Sequence, residues 1–263
     1  MTIYKIKKRE IKEISDLGGI FYKDIIEKKG GFKNFLIKKG AYIGYEHSPQ
    51  DLTTKLPNIT HIWNLELENG FLYGSTLGHE HPPSDFSVQE IYEFQNFGAM
   101  FIHDKSLNKN LLYVCKENDK IAVPQNCIMT ILNLSEKDLL TLDMANPEQN
   151  PSSKEVLKKN KGPMIAIYND SNSNVEFKLN HRYKSFDIKE DLTLDFKISG
   201  DKDLYEKILE ESSRLRNYNI EVIEASQFIE CEGRNGIKYS LNENFDKLIN
   251  SKDKTLHKLL GML

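Results

Sequence analysis

The segment Gly78-His79-Glu80-His81, followed by Glu90-Ile91-Tyr92 and Gly98-Ala99-Met100, constrains this chain more than any other part of it. Side chains alternate between the two faces of a β-strand, so an H-x-H step aims His79 and His81 the same way and Glu80 the other. Glu90, returning on the next antiparallel strand, is expected to add a carboxylate to the same face. Two imidazoles and one carboxylate can hold a divalent first-row metal and leave positions open for water or substrate. Such a set belongs inside a small β-barrel, and the expectation is an enzyme site.

The surrounding sequence supports a β fold. From Thr60 onward, Ile62, Asn64, Glu66 and Glu68 alternate with Trp63, Leu65 and Leu67, and Gly70 turns the chain into Phe71-Leu72-Tyr73. Short strands are expected at Leu111 to Cys115, Ile121 to Val123, Cys127 to Leu132 and Leu139 to Met144. Between them lie the turn segments Glu117-Asn118-Asp119, Pro124-Gln125-Asn126 and Ser135-Glu136-Lys137-Asp138. Such close spacing favours a sandwich or barrel.

Beyond a polar break at residues 146–162, where Ser152 or Ser153 is suited to cap a short helix through Lys159, strands return at Met164 to Tyr168 and Val175 to Tyr183. These are expected to close the barrel. Ile11 to Lys28 has helical spacing broken by Gly18-Gly19 and reads as a broken helix. From about Leu192 the pattern becomes strand, helix, strand, strand, helix, with Asp201 as a cap for a helix from Lys202 to Arg216. Residues 1–185 are therefore read as a β-barrel domain with an N-terminal extension, and residues 186–263 as a small α+β domain.

Charge excludes some partners. The formal net charge is −3 with both signs interspersed, which argues against nucleic-acid binding and against a basic membrane surface. No stretch approaches the roughly 18 apolar residues of a membrane helix, and Met1-Thr2-Ile3-Tyr4-Lys5 lacks the apolar core of a secretion signal. Three cysteines, Cys115, Cys127 and Cys231, have no C-x-x-C spacing, which suits buried thiols in a reducing, cytoplasmic setting.

A second segment adds a resemblance. Pro124, Asn126, Met129 and Asn133 fall at the spacings of P-x-G-x2-H-x3-N, the second motif of the cupin superfamily. Asparagine replaces glycine, a mild change because Asn tolerates the left-handed backbone a tight turn requires. Met129 replaces histidine, and a thioether is a soft ligand suited to copper(I) rather than to Mn, Fe or Zn.

With Thr76-Leu77-Gly78-His79-Glu80-His81, Glu90-Ile91-Tyr92 and Gly98-Ala99-Met100, residues 55–145 resemble the cupin-type phosphoglucose isomerases. The resemblance implies a mainly β fold, a jelly-roll cupin barrel. It also implies metal-assisted interconversion of glucose 6-phosphate and fructose 6-phosphate. By position His79, His81 and Glu90 match metal ligands, Thr76 and Gly78 match phosphate contacts, and Tyr92 matches an active-site tyrosine. Glu90 and Tyr92 are the two residues placed at the chemistry.

The implied cofactor is a divalent metal, Fe, Mn, Zn or Ni, and with Met129 in place of the last histidine it is expected to be weakly held or absent. His103 and His181 are candidates for a replacement ligand. The expected partner is a small sugar phosphate, and cupins frequently pair their barrels, so a homodimer is expected. Two other readings stay open: a degenerate cupin that binds a sugar phosphate or small metabolite without turnover, and a dioxygenase using the two-histidine, one-carboxylate set.

Overall fold

Alternating apolar residues broken by Asn, Gly and Pro turns give strands along most of the chain. The computed structural model describes residues 6–12, 30, 42–47, 58–84, 88–145, 153–170, 174–183, 192–197, 201–232 and 238–241. In chain order the strands run β1 (Ile6–Lys12), β2 (Tyr42–His47), β3 (Asn58–Ile62), β4 (Leu65–Leu67), β5 (Gly70–Leu72) and β6 (His79–His81). They continue with β7 (Val88–Phe94), β8 (Gly98–Asp104), β9 (Lys109–Cys115), β10 (Lys120–Pro124), β11 (Cys127–Asn133) and β12 (Leu139–Ala145). The last six are β13 (Ile165–Asp170), β14 (Asn174–Leu179), β15 (Leu192–Lys197), β16 (Ile220–Glu224), β17 (Ile229–Glu232) and β18 (Lys238–Leu241).

Two of the resulting sheets position the site. One has the order β1-β2-β3-β12-β7-β10, the other β16-β9-β8-β11-β6. They face each other without closing into a continuous barrel, the jelly-roll arrangement that the resemblance implied. Ile121, Val123 and Phe94 from the first sheet and Met100, Ile102 and Ile131 from the second are buried. Every residue of β8 and β11 is buried. These two strands are covered on both faces, so they read as nearly continuous apolar runs rather than as alternation. A third sheet, β15-β14-β13-β5-β4, completes the structure together with the β17-β18 pair.

Turn chemistry follows the sequence closely. Asn118 and Asn126, each in a turn segment between strands, take positive φ values of 69° and 51°. Asn126 thus does what the motif's glycine would do, in the conformation that asparagine tolerates best after glycine.

Several boundaries differ from expectation. Ile11 and Lys12 end strand β1, paired with Ile43 and Tyr42, instead of starting a helix; the rest of that reading lies outside the described residues. The helix after the polar break is Glu155–Lys159, with Lys154 at its N-cap position. Ser153 accepts a hydrogen bond from the Glu155 N–H at 3.2 Å but is itself bridged to Glu80, so it is tied to the sheet. The helix read as Lys202 to Arg216 is two helices, Asp201–Glu210 and Ser212–Asn217, and Asp201 lies within the first. Across the boundary read at residue 185, β15 pairs with β14 and β16 lies parallel to β9.

Among the described residues no helix is long and apolar enough to cross a membrane. Cys115 and Cys127 are free and buried, as read from the sequence. The two intervening lysine and glutamate side chains of β7 and β10, Glu93 and Lys120, form a buried ion pair at 3.2 Å on the outward face of their sheet.

Candidate metal centre

His79 and His81 occupy the two ends of β6, an edge strand held by β11. Alternation turns both imidazoles to the interior and Glu80 outward, where Glu80 pairs with Lys105. Glu90 meets the two histidines from β7. The expected neighbour on the adjacent strand is instead a carboxylate from the facing sheet, because β7 pairs with β10 and β12 and not with β6. The site therefore spans the interior between two sheets.

The three donor atoms converge. His79 Nε2 and His81 Nε2 are 2.8 Å apart, and Glu90 Oε2 lies 3.3 Å from the first and 3.5 Å from the second. Among the described residues these are the one group of three or more His, Cys, Asp or Glu side chains so arranged. A first-row divalent ion has bonds of about 2.0–2.2 Å to nitrogen and carboxylate oxygen, so adjacent donors around it stand roughly 3–3.5 Å apart. The observed separations match that spacing, and the donor set fits such an ion.

Burial shapes the electrostatics. Burial alone would raise the Glu90 carboxyl, but the charges and hydrogen bonds of His79 and His81 outweigh it and hold the carboxyl well below its ordinary value. Tyr92, two residues along on the same face, donates its hydroxyl to Glu90 Oε2 at 2.7 Å. Burial, and then the negative charges of Glu90 and Asp143, push the Tyr92 hydroxyl well above its ordinary range, so it stays protonated. His81 is fully buried, whereas the His79 side chain keeps 16% of its exposure and marks the open side. His81 Nδ1 has no hydrogen-bond partner among the described residues. Metal-bound histidines ordinarily donate that second nitrogen, which fixes the ring.

Met129 is the register partner of His79 across the β6–β11 ladder, and so it shares the interior face. Among the described residues no fourth His, Cys, Asp or Glu joins the cluster in its place. His103 pairs in register with Ile128, on the opposite face of the sheet, and its Nδ1 lies 2.9 Å from Asn110 Oδ1. His181 lies in the exposed turn after β14.

Thr76 and Gly78 hold the approach to β6. Thr76 Oγ1 accepts a hydrogen bond from the Ile131 N–H at 3.1 Å. Gly78 has φ +82°, and a Cβ there would stand 2.0 Å from the Met129 carbonyl oxygen. Only glycine lets the chain pass that close to β11.

Asp143 was not singled out by spacing. It pairs in register with Tyr92, is buried, and accepts a hydrogen bond from Asn58 Nδ2 at 2.9 Å. The signal in the sequence is a lone carboxylate in the apolar strand Leu139-Leu140-Thr141-Leu142-Asp143-Met144, on the same parity as Leu139.

The family model for glucose-6-phosphate isomerase (GPI) matches residues 68–184, which include all of these side chains except Asn58. The match to this family thus spans a little under half of the chain. Solved structures with a likeness to the chain include a Drosophila melanogaster CENP-C cupin domain at 10% identity, covering 40% of this chain and 67% of that one with a TM-score of 0.30. An oxalate oxidase in complex with glycolate matches at 12% identity over 60% of this chain and 59% of its own, with a TM-score of 0.32. An oxalate decarboxylase matches at 13% identity over 58% of this chain, a third of its own length (33%), with a TM-score of 0.30. No curated protein matches the chain.

Proposed function

We propose that the protein is a metal-assisted aldose-ketose isomerase acting on a sugar phosphate, glucose 6-phosphate and fructose 6-phosphate being the pair that the family implies. The observation that carries this is the convergence of His79, His81 and Glu90 with the Tyr92 hydroxyl bonded to Glu90, inside the segment matched to the family.

His79, His81 and Glu90 would hold the divalent ion, which supplies polarisation of the O1 and O2 oxygens of the open-chain sugar. Glu90 is committed to this set and is therefore a poor free base. Tyr92 keeps its proton at neutral pH, and its O–H, given to Glu90 Oε2 in the resting site, would turn toward a developing oxyanion once substrate is bound. Asp143, directly across from Tyr92, is a second buried carboxylate on that face and is assigned to proton movement between C1 and C2. The Thr76 hydroxyl accepts from Ile131 and still has its own O–H to offer, which suits the phosphate contact matched to it.

Isomerisation of fructose 6-phosphate by the full chain, with Mn²⁺, Fe²⁺, Zn²⁺, Ni²⁺ or chelator and beside His81→Ala, tests this reading. Activity that needs both metal and His81 supports it. No activity with any of the metals sinks it. Met129 favours a second reading, a cupin that binds the sugar phosphate without turnover, because it puts a soft thioether where the motif has an imidazole, at the position facing His79.

A further inference from the structure

A pocket of about 560 Å³ opens on the other side of the β8–β11 pair from the metal-facing histidines. His103 and Ile128 form part of its floor, and both project from the face opposite to Met129 and His79. Its volume falls within the roughly 300–1,000 Å³ of small-molecule sites.

Its charge is one-sided. Lys105 enters from the turn after β8, Lys159 from the end of the helix Glu155–Lys159, and Arg182 from the turn after β14. None of the lining residues is acidic. The Lys105 charge is matched by its ion pair with Glu80, so Lys159 and Arg182 carry the net positive charge, and both are exposed. Ile128 and Val156 supply apolar wall between these cations.

Two exposed cations from separate elements, Lys159 and Arg182, around a concave, partly apolar floor select a compact anion with a carbon body. A guanidinium and an ammonium together suit a phosphate: the guanidinium binds it through a fork of two N–H groups, the ammonium as a point charge. The overall net charge of −3 and the concave shape argue against a nucleic-acid backbone, which needs an extended basic track. We propose that this pocket is a second ligand site, for a small organic phosphate, separated from the His79–His81–Glu90 cluster by the thickness of one sheet.

The test is calorimetric titration of the full chain, with chelator present to remove any metal, using phenyl phosphate and inorganic phosphate as probes. One phenyl phosphate per chain is expected, with weaker binding of inorganic phosphate and affinity that falls as salt rises. The Lys159→Gln/Arg182→Gln variant, altered only at exposed positions, is expected to lose affinity at least about tenfold, since each removed group makes a charge-assisted hydrogen bond. Lys159→Arg is expected to keep it, and His81→Ala to leave it unchanged. Undiminished binding by the double variant, loss in His81→Ala, or equal affinity for inorganic phosphate would each overturn the proposal.

Discussion

Met129 stands directly across from His79 in the β6–β11 ladder, both side chains turned into the space that Glu90 enters from the facing sheet. The position that the resemblance matches to the last cupin ligand thus lies on the same face as His79 and differs from that motif in its side chain. Met129→His is expected to raise divalent-metal affinity by at least about tenfold. A direct ligand should count for no less than an outer-shell partner, whose loss costs about 10- to 100-fold. Competition with a chelating dye measures it; unchanged affinity would show that Met129 is not beside the ion.

Tyr92 donates to the Glu90 carboxylate, the proposed metal ligand, and stays protonated while doing so. Tyr92→Phe is expected to lower kcat of the isomerisation by about 10²–10⁴, the usual contribution of a positioned proton donor, with a smaller change in KM. A variant with wild-type kcat would remove Tyr92 from the chemistry.

Gly78→Ala is expected to destabilise the protein by about 3 kcal/mol or more, because it combines a forced positive φ with a Cβ placed 2.0 Å from the Met129 carbonyl oxygen. Urea unfolding reads this out. A loss under about 1 kcal/mol would mean that β6 and β11 can separate at little cost.

Lys120 and Glu93 are 1% and 2% exposed and face each other at 3.2 Å on the outer side of the β7–β10 pair. Lys120→Met strands a buried carboxylate and is expected to cost about 3–5 kcal/mol, most of it recovered in Lys120→Met/Glu93→Gln. Equal stability of the single and double variants would contradict that account.

His103 sits below its ordinary value of 6.5. Burial is the main cause, and the Lys105 charge adds to it against the opposing Asn110 hydrogen bond and Asp104. The folded state therefore binds this proton less readily than the unfolded chain. Its contribution is fully present above about pH 6.5 and is lost as pH falls from there through the folded value. His103→Gln is expected to flatten the decline in urea midpoint between neutral and mildly acidic pH. A variant with the same slope as the wild type would place the titration elsewhere.

Much of this was legible because it is local. The period-2 alternation around His79 and His81, the turn asparagines at 118 and 126, and the strands from Leu111 to Met144 depend on neighbours within a few residues. The partner of β6 was not legible: nothing near Glu90 tells whether it returns beside the histidines or across the interior. The outward direction of His103 likewise depends on its register with Ile128, and Asp143 is brought to Tyr92 by pairing between strands about fifty residues apart. The strand at Ile11 and Lys12 was misread because helical spacing of isoleucines upstream of Gly18-Gly19 was outweighed by pairing with β2. Parallel pairing of β16 with β9 is non-local in the same way.

The central claim, that His79, His81 and Glu90 form a metal centre, is tested most directly by titrating the chelator-treated protein with Mn²⁺ and following free ion by electron paramagnetic resonance. One bound ion per chain, lost in both His81→Ala and Glu90→Gln, is the result this account predicts. No bound ion, or binding untouched by both substitutions, would contradict it.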